Sequence, residues 1–205
     1  MKKLLYIAFS LLLLAGCGSS GKEKSNMDSA QDSAVTLDSA AMAAMEAAAE
    51  QARQDSIIAA ALEGDSLKEK HILVNKELFT LFVREDNKTL FTAPVCIGRG
   101  IGQKKGKGDS KTPEGEYKIR SIEVASGWTY DFHDGKGKTK GAYGPWFFRL
   151  NTPQSTHIGI HGTLFPETMG TRQSDGCVRM RNEDLEQLRK YVFVGMKVVI
   201  TPDKV

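Results

Sequence analysis

The chain has 205 residues, 40% hydrophobic and 26% charged, with a mean hydropathy of −0.31 and a formal net charge of +3. Those averages exclude a polytopic membrane protein and a wholly disordered chain. So small a charge with 8% aromatics gives no nucleic-acid-binding footprint, and three cysteines without a CxxC pair exclude a disulfide scaffold and a zinc ribbon. The averages hide a division, because residues 18–70 carry five basic and ten acidic side chains whereas residues 71–205 carry 21 and 15.

Met1-Lys2-Lys3 precedes an uncharged run from Leu4 to Gly16, thirteen residues long. A membrane span needs about 20 apolar residues, so the run suits a secretory signal. It ends Leu14-Ala15-Gly16-Cys17, which resembles a bacterial lipobox; residues 1–17 are expected to be a lipoprotein signal with Cys17 lipidated. Acyl chains there would hold the protein on a membrane, each buried CH₂ contributing about 0.8 kcal/mol. Residues 18–36 are Ser-, Gly- and Asp-rich, the composition of a flexible tether. Eleven of the residues 40–61 are alanine and no Gly or Pro interrupts before Gly64, so residues 37–70 are expected to form an Ala-rich helical spacer, with the helix running from Leu37 to about Glu69. Weak self-association through Ala and Met is a sharper reading, although no heptad is sustained.

From His71 the pattern alternates. His71–Val74, Leu78–Val83, Thr89–Ile97, Glu116–Val124, Trp146–Asn151, Thr156–His161 and Lys197–Thr201 read as strands, with a hairpin turn at Asp86-Asn87-Lys88. One helix is expected, capped by Asn182, lined by Leu185, Leu188 and Val192, and closed by Gly195. Many short strands and one late helix predict a mainly β sandwich or barrel over residues 71–205. Gly98 to Asp109 holds five glycines and four basic residues, and reads as a mobile electropositive loop suited to an anionic polymer. It lacks the helix and the GKS/T of a phosphate loop.

Cys96, flanked by Val95 and Ile97, reads as an inert buried thiol. Cys177 differs. Gly176 precedes it, opening backbone N–H groups to a ligand, and Arg179 would share its face in an extended segment at about 7 Å, lowering the thiol pKa or binding a carboxylate. Of the four histidines, His161 stands at a strand end before Gly162, where catalytic groups are exposed. Cys177 and His161 would form a thiolate–imidazolium pair, with a backbone carbonyl, that of Gly162, orienting the ring. Zinc is disfavoured, since His157 and His161 on one strand lie about 13 Å apart. No metal or cofactor is expected.

Gly159-Ile160-His161-Gly162-Thr163 followed by Ser174-Asp175-Gly176-Cys177-Val178-Arg179-Met180 strongly resembles the L,D-transpeptidase (YkuD) catalytic domain. Thr112-Pro113-Glu114-Gly115-Glu116-Tyr117-Lys118-Ile119 resembles its TPxGxFxI segment, and Tyr143-Gly144-Pro145-Trp146-Phe147 a weaker one. The resemblance covers residues 71 to 202; Asp175 falls at a position that varies in the family. It implies a barrel-like β-sandwich capped by the helix, with Cys177, His161, Gly162 and Gly176 catalytic and Arg179, Ser174 and Tyr143 binding substrate. The implied substrate is a peptidoglycan stem tetrapeptide. Cys177 would attack the carbonyl of its third residue, D-Ala would leave, N–H groups near Gly176 and Cys177 would hold the oxyanion, and an amine would take the acyl group to give a 3→3 cross-link. Water as acceptor would make a carboxypeptidase or endopeptidase, a protein lysine a protein-to-wall ligase, and a free D-amino acid an exchange reaction. A sortase-like enzyme is disfavoured by the HGT motif and a papain-like one by the His-before-Cys order. A non-enzymatic wall-binding lipoprotein would need no nucleophile. The expected location is outside the cytoplasm, anchored to a membrane facing the wall.

Overall fold

A computed structural model describes residues 28–203 apart from 64 and 66. The signal segment, Cys17 and most of the expected tether lie outside these residues. The first element, α1 (Asp28–Leu62), starts and ends earlier than expected. Residues 28–36 contain Ser, Asp, Ala and Gln but no Gly or Pro, so nothing there stops a helix. The helix ends before Gly64, and just beyond it the Asp65 carboxylate bonds His71 Nε2 at 2.9 Å and forms an ion pair with Arg84, whose Nε lies 2.8 Å away. No helix among the described residues is long and apolar enough to cross a membrane.

The remainder is mainly β. The strands are β1 (His71–Asn75), β2 (Thr80–Glu85), β3 (Lys88–Pro94), β4 (Ile97–Gly98), β5 (Gly115–Val124), β6 (Thr129–Asp131), β7 (Lys138–Lys140), β8 (Trp146–Leu150), β9 (Gly159–His161), β10 (Arg172–Ser174), β11 (Val178–Arg179) and, after helix α2 (Asn182–Arg189), β12 (Lys197–Ile200). Eight of them form one mixed sheet in the order β11-β9-β8-β5-β12-β1-β2-β3. Two pairs are parallel, β1 with β12 and β9 with β11. The C-terminal strand therefore lies inside the sheet, and every residue of its neighbour β1 is buried. One core unites Ile72 and Val74 of β1, Phe148 and Leu150 of β8, Ile160, Val178, and Leu185 and Leu188 of α2. The β2–β3 turn uses Asp86 and Asn87 at positive φ, which short polar side chains tolerate.

Three expectations change. Residues 156–158 are not strand, and β9 begins only at Gly159. Asn182 is not the helix cap: Arg181 holds that position without a side-chain cap, and Asn182 Oδ1 instead accepts the Thr163 N–H at 3.1 Å. That carboxamide lies against Gly144 and Gly162, where an added Cβ would come within 2.3 and 2.1 Å of Oδ1. Gly195 does not close the helix either. The helix stops at Arg189, and Gly195, at φ +92°, donates its N–H to Ile119 O at 2.8 Å.

A buried ion network fastens the segment before β5. The Lys76 side chain is fully buried, with Nζ 2.7 Å from both Glu114 Oε1 and Asp203 Oδ2. Burial alone would raise the Asp203 pKa, but Lys76, the Gly102 N–H and Arg172 together hold it down at about 2. Gly102 donates to the same carboxylate at 2.6 Å, tying the glycine-rich loop to the C-terminal segment. Lys76→Met leaves Glu114 without its cation and Asp203 with Arg172 alone, and is expected to cost about 3 kcal/mol, read by urea denaturation; a loss within error would show the network to be dispensable.

Candidate active site

β9 and β11 run in parallel with Ile160 opposite Val178 and His161 opposite Arg179. Opposed residues share a face and successive residues alternate. Ile160 and Val178 are fully buried in the core, so His161 and Arg179 project from the other face, and Cys177 lies two residues before Arg179. All three line one cavity of about 520 Å³, with Tyr143 also in its wall.

The His161 ring is 3% exposed. Its Nδ1 lies 2.6 Å from Gly162 O, and since a carbonyl only accepts, Nδ1 carries the proton and Nε2 is the free base. Phe147 stacks on the ring at 5.3 Å and 11°, and Tyr143 lies at 5.0 Å. Phe147 is in turn covered by the Arg149 guanidinium at 4.8 Å, which Glu123 grips with two bonds of 2.7 and 2.8 Å. Gly159 makes the stack possible: a Cβ there would meet the Phe147 ring at 2.3 Å. Burial pushes the His161 pKa from 6.5 down to about 3; the Gly162 carbonyl opposes this and Arg179 adds to it.

Cys177 is half-buried, and its Sγ–H donates to His157 O at 3.4 Å. Burial pushes the thiol up, opposed by the Gly159 N–H, Arg179 and Lys104. At rest the site therefore holds a thiol and a neutral imidazole rather than the expected thiolate–imidazolium pair, because desolvation penalises both charged forms.

Ser174 also takes another role. It is fully buried, donates to Cys177 O at 2.6 Å and accepts the Gly176 N–H at 3.0 Å. It shapes the Gly176–Cys177 turn and is closed to solvent, and the Gly176 N–H is committed to it. Gly176 must itself be glycine: φ is +124°, and a Cβ would lie 2.6 Å from Lys111 O.

The glycine-rich loop is pinned rather than free. Asp109 accepts Lys104 Nζ at 2.6 Å and the N–H groups of Lys105, Gly106 and Lys111. Burial would raise its pKa, but these donors hold it well below the usual carboxylate range. Arg99, from the same loop, pairs with Asp175, which also accepts the Tyr130 hydroxyl at 2.9 Å. Sequence reasoning missed Lys104, Tyr130 and Phe147 as parts of the cavity and its supports. Only the Lys104–Asp109 spacing left a trace, as charges inside a glycine-rich loop. Cys96 is fully buried and pairs through its backbone with Arg179, which fixes β11 from the other side.

A thiol and an unprotonated imidazole nitrogen in one cavity are the parts of a cysteine acyl-transfer site. A family profile of the L,D-transpeptidase catalytic domain, YkuD, matches residues 69–200. The protein named L,D-transpeptidase YkuD in Bacillus subtilis is 30% identical over 130 residues, covering 63% of this chain and 65% of the relative. Its namesake in Bacillus licheniformis is 31% identical over 123 residues, 60% of each. The chain thus spans less than two thirds of the length of these curated relatives. An L,D-transpeptidase structure from Mycobacterium smegmatis shares the fold, with a TM-score of 0.50 at 18% identity over 65% of this chain and 58% of that one. The chain belongs to the YkuD family of L,D-transpeptidase catalytic domains.

The depressed His161 pKa has a consequence for folding. Between about 3 and 6.5 the unfolded chain binds a proton that the native imidazole refuses, so stability is full above 6.5 and falls as pH drops toward 3. The loss is about 1.4 kcal/mol per pH unit. His161→Gln is expected to remove the decline in Tm between pH 6.5 and 4.5, above the range where Glu123 and Asp203, both at about 2, contribute. Parallel Tm–pH curves for the two proteins would refute it.

Proposed function

We propose that this chain is a cell-wall L,D-transpeptidase whose nucleophile is Cys177. The observation that carries the reading is the convergence of His161, Cys177 and Arg179 on one cavity, with cationic Arg99 and Lys107 at its wall. The substrate would be a peptidoglycan stem tetrapeptide, whose carboxylates suit those cations. His161 Nε2 takes the proton from Cys177 as sulfur attacks the carbonyl carbon of the third residue. The C–N bond to D-Ala then breaks, and the imidazolium returns the proton to the departing amine. The acyl group remains as a thioester on Cys177. An amine of a second stem attacks it, re-forming the thiol and giving a 3→3 cross-link.

The resting neutral pair fits this sequence, because separated charge is needed only once the substrate has displaced water. With the Gly176 N–H bonded to Ser174, the developing oxyanion would rely on the Cys177 N–H and nearby cations. Tyr143 and Arg179 would position the stem. The lipobox at Cys17 would anchor the protein to a membrane facing the wall, and α1 would act as a spacer.

The chain from residue 18, mixed with disaccharide-tetrapeptide, is expected to give cross-linked dimers lacking one D-Ala by mass spectrometry, and none with Cys177→Ala. D-Ala release without dimers would make water the acceptor. No product and no thioacyl adduct on Cys177 would overturn the substrate and favour a wall-binding or protein-ligase role.

A further inference from the structure

The cavity contains a charge that the reaction scheme does not use. Lys104 is 3% exposed, yet it lines the same cavity as Cys177. Its Nζ is bonded to Asp109 at 2.6 Å and lies 3.3 Å from the point that a Cβ on Gly176 would occupy. The ammonium therefore sits against the turn that carries the nucleophile, in the space that the absence of a Gly176 side chain leaves. We propose that Lys104, held in place by Asp109, is the positioning residue that poises Cys177 for attack, by placing a fixed positive charge against the Gly176–Cys177 turn where sulfur becomes negative.

Three observations support it. Burying an ammonium is costly, and apolar side chains in place of both Lys104 and Asp109 would fill the space at lower cost to the fold. The backbone gives less help than the sequence implies, because the Gly176 N–H is turned into Ser174 Oγ at 3.0 Å. The other groups facing the sulfur do not make Lys104 redundant. Arg179 on β11 and Arg149 on β8 are cationic, Asp175 is anionic and paired with Arg99, His161 is buried and neutral, and Tyr143 is half-buried with its hydroxyl pKa raised by burial. Burial raises the thiol, and Lys104 is among the groups that counter it.

The inference deepens the proposed reaction and rests on Cys177 being its nucleophile, but it can be read without a wall substrate. The full chain is alkylated with iodoacetamide across a pH series, and the adduct on the peptide carrying Cys177 is quantified by mass spectrometry. Buried Cys96 serves as the internal control for unfolding. Lys104→Met is expected to move the midpoint for Cys177 upward by about one pH unit, which slows alkylation about tenfold below both midpoints. Lys104→Arg, which keeps the charge, is expected to restore most of the rate. If Lys104→Met exposes Cys96, the double variant Lys104→Met with Asp109→Asn, which removes the buried pair together, takes its place, with a smaller upward shift expected because the anion leaves with the cation. An unchanged midpoint in a folded neutral variant, equal losses in the Met and Arg variants, or failure of both neutral variants to fold would assign Lys104 to structure alone and overturn the proposal. Failure of the transpeptidation assay beside an intact alkylation shift would count against the substrate and leave the role of Lys104 standing.

Discussion

In a parallel strand pair, directly opposed residues project from the same side of the sheet. Registering Arg179 against His161 therefore places imidazole, guanidinium and the thiol two residues earlier on one surface. A slip of one residue would exchange this set for Val178 and Ile160, turning the chemistry into the core and the core into solvent. The register is held from both sides. β8 pairs Phe147 with His161, and Cys96 exchanges two backbone hydrogen bonds with Arg179 at 2.9 and 2.8 Å. The buried Cys96 thus stands in the strand-like segment that fixes Arg179, two residues beyond Cys177.

The imidazole is shut off from solvent. Phe147, Tyr143 and the sheet enclose His161 so closely that its proton-accepting nitrogen is held neutral, and the same enclosure holds Cys177 as a thiol. Low dielectric has two consequences. It suppresses charge at rest, and it strengthens the effect of any fixed charge once the thiol is ionised. The aromatic stack also has a support of its own, since the Glu123–Arg149 pair clamps the outer face of Phe147. Removing either member would loosen a ring that defines the orientation of the imidazole.

Loops around this surface are positioned by polar groups rather than by apolar burial. Lys76 gathers Glu114 and Asp203, Asp109 gathers three backbone N–H groups and Lys104, and Asn182 reaches from α2 to the Thr163 N–H two residues beyond His161. Lys76 and Asn182 join segments distant in sequence, whereas Asp109 closes its own loop around one carboxylate. Such groups cost desolvation and return geometric definition, which suits segments too rich in glycine to be ordered by side-chain packing.

Local information in the chain was enough to single out residues that the fold brings to one cavity. Gly-Cys-x-Arg near a strand end, a histidine before glycine, and alternating β-branched runs each reflect constraints that act over a few residues, so Cys177, His161, Arg179 and most of the strands could be read directly. The carbonyl of Gly162 beside the imidazole was legible for the same reason, being the next residue. Several features were not. The C-terminal strand enters the sheet between β1 and β5, and the Asn182 side chain reaches out of the first turn of α2 to brace Thr163. Ser174 turns inward and takes up the Gly176 N–H, and Lys104 comes to lie against a turn more than seventy positions away. These depend on which surfaces meet and on how much water remains between them. The ionisation of the pair belongs here too: sequence proximity suggested charged partners, but burial, which only the assembled sheet creates, sets them neutral.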